Sequence, residues 1–336
     1  MKKENWSKIF IWVGIFLMFL LIPFWIENQY LISVITSMFI NALLATSCWF
    51  IMITGQVTLG HAGFAAIGGY LSAALITKYT LNSWPSLLFA LIIVGSLALI
   101  IGYITLQIKG IYFIVVTLAL GEVIRIIFSA WRDPFGGLTG LMNLPPPNSL
   151  KIPFIFTINF LSPISLYYLT LLFSFLGILI MTYLYISPIG LIFQGIRQAD
   201  DLAESVGIDI MGYKVFSFVV GSIFAGLGGI LYTYNVKTIQ PSSFTLIQST
   251  NYLLYVAVGG SANILGPIIG AFSLNILSEL LRPIKEFEPI VFALILIGTV
   301  ILFPSGLLGL IQKIGRKIDE IIFHISNKTV LSSNVS

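Results

Sequence analysis

Residues 83–107, SWPSLLFALIIVGSLALIIGYITLQ, contain no charged side chain. An α-helix rises about 1.5 Å per residue, so about 20 apolar residues cross the roughly 30 Å hydrocarbon core of a bilayer. This stretch is long enough to do so, and similar apolar runs recur along the chain. Each run predicts a helix in the membrane. The runs cover approximately residues 9–26, 31–54, 57–77, 83–107, 111–130, 164–187, 213–235, 250–281 and 288–311.

Composition supports the same class. The chain has 336 residues, of which 57% are hydrophobic and 9% charged, and its mean hydropathy is +1.01. Soluble domains carry roughly 25% charged residues, so this chain lacks the charge to cover a soluble surface. A membrane β-barrel needs segments of alternating polarity, whereas these runs are continuous. The predicted fold is all-α: a polytopic transmembrane helical bundle of about 8–10 spanning or re-entrant helices, in a single domain over residues 1–336.

Orientation follows from basic residues, which concentrate on the cytoplasmic side of membrane proteins. No small-residue cleavage site follows the first apolar run, so we expect that run to be retained as a first helix. Counting crossings from the N-terminus places residues 131–163 outside and residues 188–212 in the cytoplasm. Both termini are expected in the cytoplasm because of Lys2, Lys3, Lys8, Lys313, Arg316 and Lys317.

A break is expected inside the run 250–281. Three full crossings after residue 212 would leave the basic tail outside. GGSANILGP at 259–267 interrupts the run with glycine, serine, asparagine and proline, so we interpret the run as two short or re-entrant segments. Irregular backbone at membrane depth is tolerated only where protein or a watery cavity shelters it, so this break hints at a path for a solute.

The predicted outer loop carries WRDPFGGLTGLMNLPPPNS at 131–149. Its prolines and glycines argue against a regular helix. The loop is long enough to offer a docking surface outside the cell.

Small residues recur at four-residue spacing, as at Ala65, Gly69 and Ala73. Helices in lipid associate through close packing, which small residues permit. The pattern predicts close helix packing, and the same helices are candidates to line a translocation path. The residues assigned to packing or path are Gly55, Gln56, Gly60, His61, Gly63, Gly69, Gly221, Gly229, Gly266 and Gly270.

Glu122, Arg125 and His61 are ionisable residues inside apolar runs. Glu122 and Arg125 are spaced i, i+3, so they can pair on one helix face. The pair is interpreted either as structural, near the outer rim by Trp131, or as part of the pathway or gate. His61 is interpreted as a hydrogen-bonding structural residue, with a proton relay as the alternative.

Nothing in the sequence predicts catalysis or a bound metal. The two histidines, His61 and His324, are far apart, and no Cys/His metal spacing occurs. The chain has no GxxxxGK[ST] motif for ATP, so any ATP and Mg would be bound by partner subunits. Cys48 is the only cysteine and forms no internal disulfide. The net charge of +4 fits loops that face an anionic membrane surface, and nucleic-acid binding is not expected.

Residues 197–209, RQADDLAESVGID, are unusually charged for this chain. Asp200 and Asp201 fall early in a predicted short helix, where they complement its dipole. Leu202, Ala203 and Val206 form a small apolar stripe, and Gly207 suits a left-handed turn after the helix. The segment is interpreted either as a helix lying on the bundle or as a helix that docks on a cytoplasmic partner.

A resemblance favours docking. The segment resembles the EAA loop of ATP-binding-cassette (ABC) importer permeases, E-A-A, three residues, then G, which maps onto Asp201, Leu202, Ala203 and Gly207. Two positions depart from the pattern, with Asp for Glu and Leu for the first Ala. The surrounding order resembles the LivM-type branched-chain amino acid permeases of the LivM/LivH superfamily. The matching stretches run in order from about residue 31 to 310: GQVTLGHAGFAAIGGY, GIYFIVVTLALGEVIR, FGGLTGL, YKVFSFVVGSIFAGLGGILY, VGGSANILGPIIGA and FPSGLLGL.

This resemblance implies a permease subunit without enzyme activity of its own, in the cytoplasmic membrane of a prokaryote. The implied partners are a second LivH-like permease, two cytoplasmic ABC ATPases and an extracytoplasmic substrate-binding protein. Residues 188–212, here called the coupling segment, would transmit motion from the ATPases. The residues expected to do so are Arg197, Asp200, Asp201, Leu202, Ala203, Glu204 and Gly207.

Alternatives remain at this point. An ABC permease for urea, nucleosides or another small solute would share much of this pattern. An ion-coupled secondary transporter would need carboxylates at membrane depth, for which the sequence offers only Glu122 and Glu279. An intramembrane enzyme would need paired catalytic residues, which the sequence lacks.

Overall fold

The computed structural model describes residues 14, 17–26, 28–152, 156–283, 288–302, 306–310 and 313. Of the basic residues used for orientation, Lys2, Lys3, Lys8, Arg316 and Lys317 lie outside these ranges. So does His324. The described residues up to Leu253 form one compact unit, and those from Leu254 onward form a second. A single domain over the whole chain stays a prediction.

The fold is all-α, as predicted. Residues 17–25 are helical, and longer helices follow. Among the described residues, five of the helices below (α1, α3, α4, α5 and α8) are long and apolar enough to cross a membrane. The helices are α1 (Gln29–Met52), α2 (His61–Thr77), α3 (Ser83–Thr105), α4 (Ile111–Ala130), α5 (Pro163–Ile186), α6 (Pro188–Gln198), α7 (Asp200–Ser205), α8 (Ile210–Val236), α9 (Leu246–Gly259), α10 (Leu265–Leu281) and α11 (Glu288–Leu302).

Local capping explains where several helices begin. The Asn28 side chain accepts a hydrogen bond from Tyr30 N at the start of α1. The Ser162 side chain accepts a hydrogen bond from Ser165 N at the start of α5, where Pro163 is the first helical residue. Asp209 accepts from Gly212 N at the start of α8. Such side chains satisfy amide groups that lack a partner within the helix.

Helix α8 is the centre of the first unit, where it packs against α1, α2 and α3. Glycines bring α2 and α8 together, backbone against backbone. A Cβ built on Gly68 would lie 2.3 Å from Gly226 O, and one on Gly229 would lie 1.9 Å from Ala65 O. No side chain other than hydrogen fits at either place.

The predicted alternation of the crossings agrees with contacts at the two ends of this unit. At one end, Lys78 after α2 pairs with Asp133 after α4, with 2.7 Å between Nζ and Oδ1. At the other end, Lys109 before α4 lies 3.9 Å from Asp200 in α7. Loops predicted on the same side of the membrane therefore lie together. Which end faces the cytoplasm stays a prediction.

The loop after α4 contains more structure than its prolines suggest. It has one turn of 3-10 helix, Gly137–Thr139. It also has a hairpin in which β1 (Leu150–Ile152) pairs antiparallel with β2 (Phe156–Ile158). Leu141 forms a backbone bridge to Ile239. The absence of a regular helix is confirmed, but the hairpin was not foreseen.

The break predicted at 259–267 is confirmed. Helix α9 ends at Gly259, and α10 begins at Leu265. Gly260 has a φ of +107°, which glycine adopts at little cost. Within the second unit, a Cβ on Gly270 would lie 1.9 Å from Tyr255 O, so α10 packs closely on the end of α9.

Candidate functional site

The coupling segment contains two helices rather than the single short helix predicted. Arg197 belongs to α6, and Asp200 begins α7. Ala199 between them is extended, with φ −159° and ψ 95°. Arg197 and Gln198 form the end of α6, and the next charged residues begin α7. The composition does not change at Ala199, so the sequence did not reveal this break.

Helix α7 ends in a Schellman motif. Gly207 has a φ of +84°. Its amide donates to Glu204 O over 2.9 Å, and the amide of Ile208 donates to Ala203 O over 3.1 Å. These two bonds define the motif and satisfy the last carbonyls of the helix. Gly207 therefore occupies the left-handed position that its spacing predicted.

A buried ion pair ties α7 to the bundle. Lys214 Nζ on α8 donates to Asp200 Oδ2 over 2.7 Å, and the Lys214 side chain is 4% exposed. Ala203 is buried as well. Sequence reasoning missed Lys214, because nothing in a short pattern pairs residues on two different helices.

The outer face of α7 is apolar and open. Leu202 is 70% exposed and Val206 is 75% exposed. Asp201 and Glu204, beside them, are exposed too. The predicted stripe is therefore divided, because Ala203 packs inward while Leu202 and Val206 point away from the bundle.

Helix α6 anchors the same segment to the end of α1. Phe193 is fully buried, with its ring edge-to-face against Phe50 at 5.7 Å between centroids. Gly55, just after α1, has a φ of +85°, and a Cβ there would lie 3.6 Å from Arg197 Cα. Gln56 is buried beside it.

His61 lies at the start of α2, fully buried. Its Nε2 lies 2.8 Å from Ser47 Oγ on α1. The next amide, Ala62 N, donates to Ser249 Oγ on α9 over 3.0 Å, and Tyr252 packs edge-to-face on the imidazole. His61 Nδ1 has no hydrogen-bond partner among the described residues. These contacts give His61 a structural place between three helices.

Glu122 and Arg125 are paired, with 2.7 Å between Arg125 Nε and Glu122 Oε2. Glu122 Oε1 also accepts from Leu246 N, the first residue of α9, over 3.3 Å. Glu122 lies about 17 Å along a helix about 30 Å long, so it is near mid-span. Whether the pair is structural, near the outer rim, or part of the pathway or gate stays a prediction.

The predicted small residues lie at close helix contacts. A Cβ on Gly60 would lie 2.6 Å from Thr117 O, and one on Gly63 would lie 3.2 Å from Gly121 Cα, so α2 also packs on α4. The remaining contacts are Gly69 with Thr233, Gly221 with Ile51, Gly229 with Ala65, Gly266 with Gly260 and Gly270 with Tyr255. Their part in a translocation path stays a prediction.

A polar cavity of about 80 Å³ lies between α1, α8 and the start of α9. Sequence reasoning missed its lining, because single serines, asparagines and glutamines in apolar runs carry no pattern. Its polar side chains are Ser37, Asn41, Tyr232, Ser243, Gln248 and Tyr252. Among the described residues, no group of three or more His, Cys, Asp or Glu is placed to hold a metal ion.

The chain is similar in sequence to known membrane permeases. The chain is 28% identical over 273 residues to the high-affinity branched-chain amino acid transport system permease protein LivM of Escherichia coli (strain K12). This alignment covers 76% of this chain and 64% of that protein. It is 25% identical over 261 residues to the probable branched-chain amino acid transport permease protein LivM of Methanocaldococcus jannaschii, covering 72% of this chain and 74% of that one. The probable permease LivH of the same archaeon is 23% identical over 287 residues, or 80% of this chain and 88% of that one.

The chain thus spans 64% of the length of its Escherichia coli relative. No solved structure matches it. The family described as the permease component of the branched-chain amino acid transport system matches residues 30–304. This match covers most of the chain, from the first turn of α1 to the end of α11. The protein therefore belongs to this family of multi-pass membrane permeases.

Proposed function

We propose that this chain is a membrane-spanning subunit of an ABC importer that carries leucine, isoleucine and valine across the cytoplasmic membrane of a prokaryotic cell. The chain itself hydrolyses nothing. Two cytoplasmic ATPase subunits bind ATP and Mg, a second LivH-like permease completes the pathway, and an extracytoplasmic binding protein delivers the solute. Both termini lie in the cytoplasm.

The observation that carries this proposal is the open apolar face of α7. Leu202 on α7 and Val206 directly after it lie outside the spans, and α7 is fastened to the bundle at Asp200 and Ala203. Burial of a Leu or Val side chain contributes roughly 1.5–3 kcal/mol. A groove on an ATPase that covers both residues would gain this energy, and the charged residues around them would form its polar rim.

Movement of the partner then reaches the bundle through rigid contacts. The Asp200–Lys214 pair joins α7 to α8, and Phe193 joins α6 to α1. Helix α8 in turn packs on α2 and α3. ATPase closure that displaces α7 would therefore bias the bundle between two packed states, which is how a remote ligand drives a conformational change.

The choice of branched-chain amino acids rests on the relatives. The proteins from Escherichia coli and Methanocaldococcus jannaschii carry this solute class in their names. The proposal extends that solute class to this chain.

The test is purification of the tagged full chain from its native membrane in a mild detergent, with co-purifying chains identified by mass spectrometry. We expect a cytoplasmic ATPase and a second permease in comparable amounts. The same complex, returned to liposomes with its binding protein, should take up leucine only when ATP is supplied.

Three results would contradict the proposal in whole or in part. A preparation without any ATPase would mean that the coupling segment is only a surface loop. Uptake that follows an ion gradient and ignores ATP would establish an ion-coupled carrier. Uptake of urea or a nucleoside instead of leucine would keep the ABC importer and overturn the solute.

A further inference from the structure

The Glu122–Arg125 pair is half-buried and lies near the middle of α4, a candidate membrane span. Each side chain is 30% exposed. Val115 and Ile126, which share this face of α4, are 58% and 53% exposed. The pair is therefore partly exposed at the surface of the subunit, and the surface around it is apolar.

Contact with lipid would be energetically unfavourable for this face of α4. A charged side chain at the centre of a bilayer costs at least roughly 2.5–3.5 kcal/mol, and such residues nearly always face protein or a water-filled path. The exposed part of the Glu122–Arg125 pair must then face water or another subunit when the protein is assembled.

The pair also has hydrogen-bonding capacity to spare. Arg125 pairs through Nε, and its two terminal NH₂ groups form no hydrogen bond among the described residues. Glu122 accepts two hydrogen bonds, one from Arg125 and one from Leu246 N. A carboxylate offers about four acceptor positions, so Glu122 can accept from a further cation while the pair stays intact.

We propose that the Glu122–Arg125 pair binds the zwitterionic α-amino-acid group of the transported solute. The solute carboxylate accepts from the terminal NH₂ groups of Arg125, and the solute ammonium donates to Glu122. This inference rests on the proposed function, and it adds the place in this chain where an amino acid is recognised.

Charge balance favours a zwitterion over a simple ion. The pair is neutral as a whole, so a lone cation or anion would bring an uncompensated charge to mid-span. A zwitterion brings none, and each of its charges meets the opposite charge. Charge-assisted hydrogen bonds of this kind are about twice as strong as neutral ones.

The surroundings suit a branched aliphatic side chain. Glu122 lies in a crevice between α2, α4 and the start of α9. Its apolar walls are Leu59, Leu118, Phe244 and Leu246. The crevice is closed in this structure and has no room for a water molecule, so the solute enters only when the bundle adopts its other packed state.

The polar cavity near Tyr232 is a weaker candidate. No charged side chain lines it. It is suited to a few water molecules rather than an amino acid.

The test uses cysteine labelling of the full chain in native membrane vesicles that contain the whole transporter. Cys48 is the single cysteine and is buried, so Cys48→Ala provides the background. Ile126→Cys places a thiol one turn from Glu122. Ile92→Cys on α3, where Ile92 is 64% exposed, is the matched control on a face without charged residues.

A membrane-impermeant maleimide should label Ile126→Cys and leave Ile92→Cys unlabelled. Leucine at about nine times its dissociation constant should slow labelling of Ile126→Cys about tenfold, since it leaves one site in ten free. Leucinamide, which lacks the carboxylate, and 4-methylpentanoate, which lacks the ammonium, should not protect. Glu122→Gln should abolish protection by leucine while labelling continues.

Labelling of neither position would mean that the face is covered, and it would overturn the site. Labelling of Ile126→Cys without protection by any amino acid would overturn it as well, even if ATP-dependent leucine uptake is intact. Protection by a different zwitterionic amino acid, with no leucine uptake, would support the site and contradict only the proposed solute.

Discussion

Lys214 Nζ donates to Asp200 Oδ2 over 2.7 Å from a position that is 4% exposed. A buried ammonium is costly unless it is paired, so the position of α7 is tied to that of α8. Lys109 approaches the same carboxylate oxygen at 3.9 Å from an exposed position. The single oxygen thus joins the coupling segment, the bundle and the loop before α4.

Asp200→Asn should destabilise the protein more than Lys214→Met. The first change leaves a buried ammonium without its carboxylate, which costs roughly 3–5 kcal/mol, whereas an apolar residue of similar length removes the buried charge. Lys109→Gln is the matched control, because an exposed pair contributes at most about 1 kcal/mol. Thermal unfolding of the detergent-solubilised protein measures all three. Equal Tm values for Asp200→Asn and Lys109→Gln would show that the buried pair does not stabilise the fold.

Gly207→Val should lower ATP-dependent uptake while the protein remains in the membrane. A left-handed conformation costs a residue with a side chain about 1–2 kcal/mol, and no heavy atom lies within 4 Å of the added Cβ. The penalty is therefore conformational and confined to the turn. Gly207→Asn should retain more uptake, since asparagine tolerates this conformation better. Uptake and membrane abundance are measured together, and unchanged uptake in Gly207→Val would contradict the assignment of the turn.

Leu202→Asp and Val206→Asp should reduce recovery of the ATPase with the tagged chain. Each change removes apolar surface that a partner groove would bury, roughly 1.5–3 kcal/mol per residue. That loss weakens binding by about tenfold or more. Leu138→Asp is the control, because Leu138 is 81% exposed in the loop after α4. ATPase recovered per permease is the readout. If Leu138→Asp lost as much ATPase as Leu202→Asp, the docking face would lie elsewhere.

Gly229→Ala should prevent normal folding or assembly. The new methyl group would lie 1.9 Å from Ala65 O, and a backbone atom cannot rotate away as a side chain can. Gly195→Ala on α6 is the control, because nothing lies within 4 Å of its added Cβ and alanine favours helix by about 1 kcal/mol. Fluorescence-detected size-exclusion chromatography compares the two. A sharp wild-type peak for Gly229→Ala would mean that α2 and α8 separate easily.

Features governed by local patterns were predictable. The run 111–130 coincides with α4, and the break within 259–267 lies where α9 gives way to α10. Gly207 adopts the left-handed conformation expected after α7. Apolar length decides whether a helix can span, and glycine decides where the backbone can turn.

Features governed by neighbours from elsewhere in the chain were not predictable. The interruption at Ala199 divides a stretch that looked like one helix. The hydrogen bond from Leu246 N to Glu122 depends on where α9 starts in space. Distant backbone or imidazole groups form hydrogen bonds with the hydroxyls of Ser47, Ser249 and Thr117. The sequence around a single hydroxyl in an apolar run does not indicate its partner.

The sequence by itself determined that this protein is a helical membrane protein, where its helices run and which family it belongs to, because hydropathy and short motifs are properties of adjacent residues. Only the tertiary structure decided that Asp200 meets a buried lysine, that Leu202 and Val206 face outward while Ala203 faces inward, and that Glu122 and Arg125 open at mid-span. Those outcomes depend on which helices pack together. In lipid that choice is made by the close fit of small residues along whole helices rather than by any single segment.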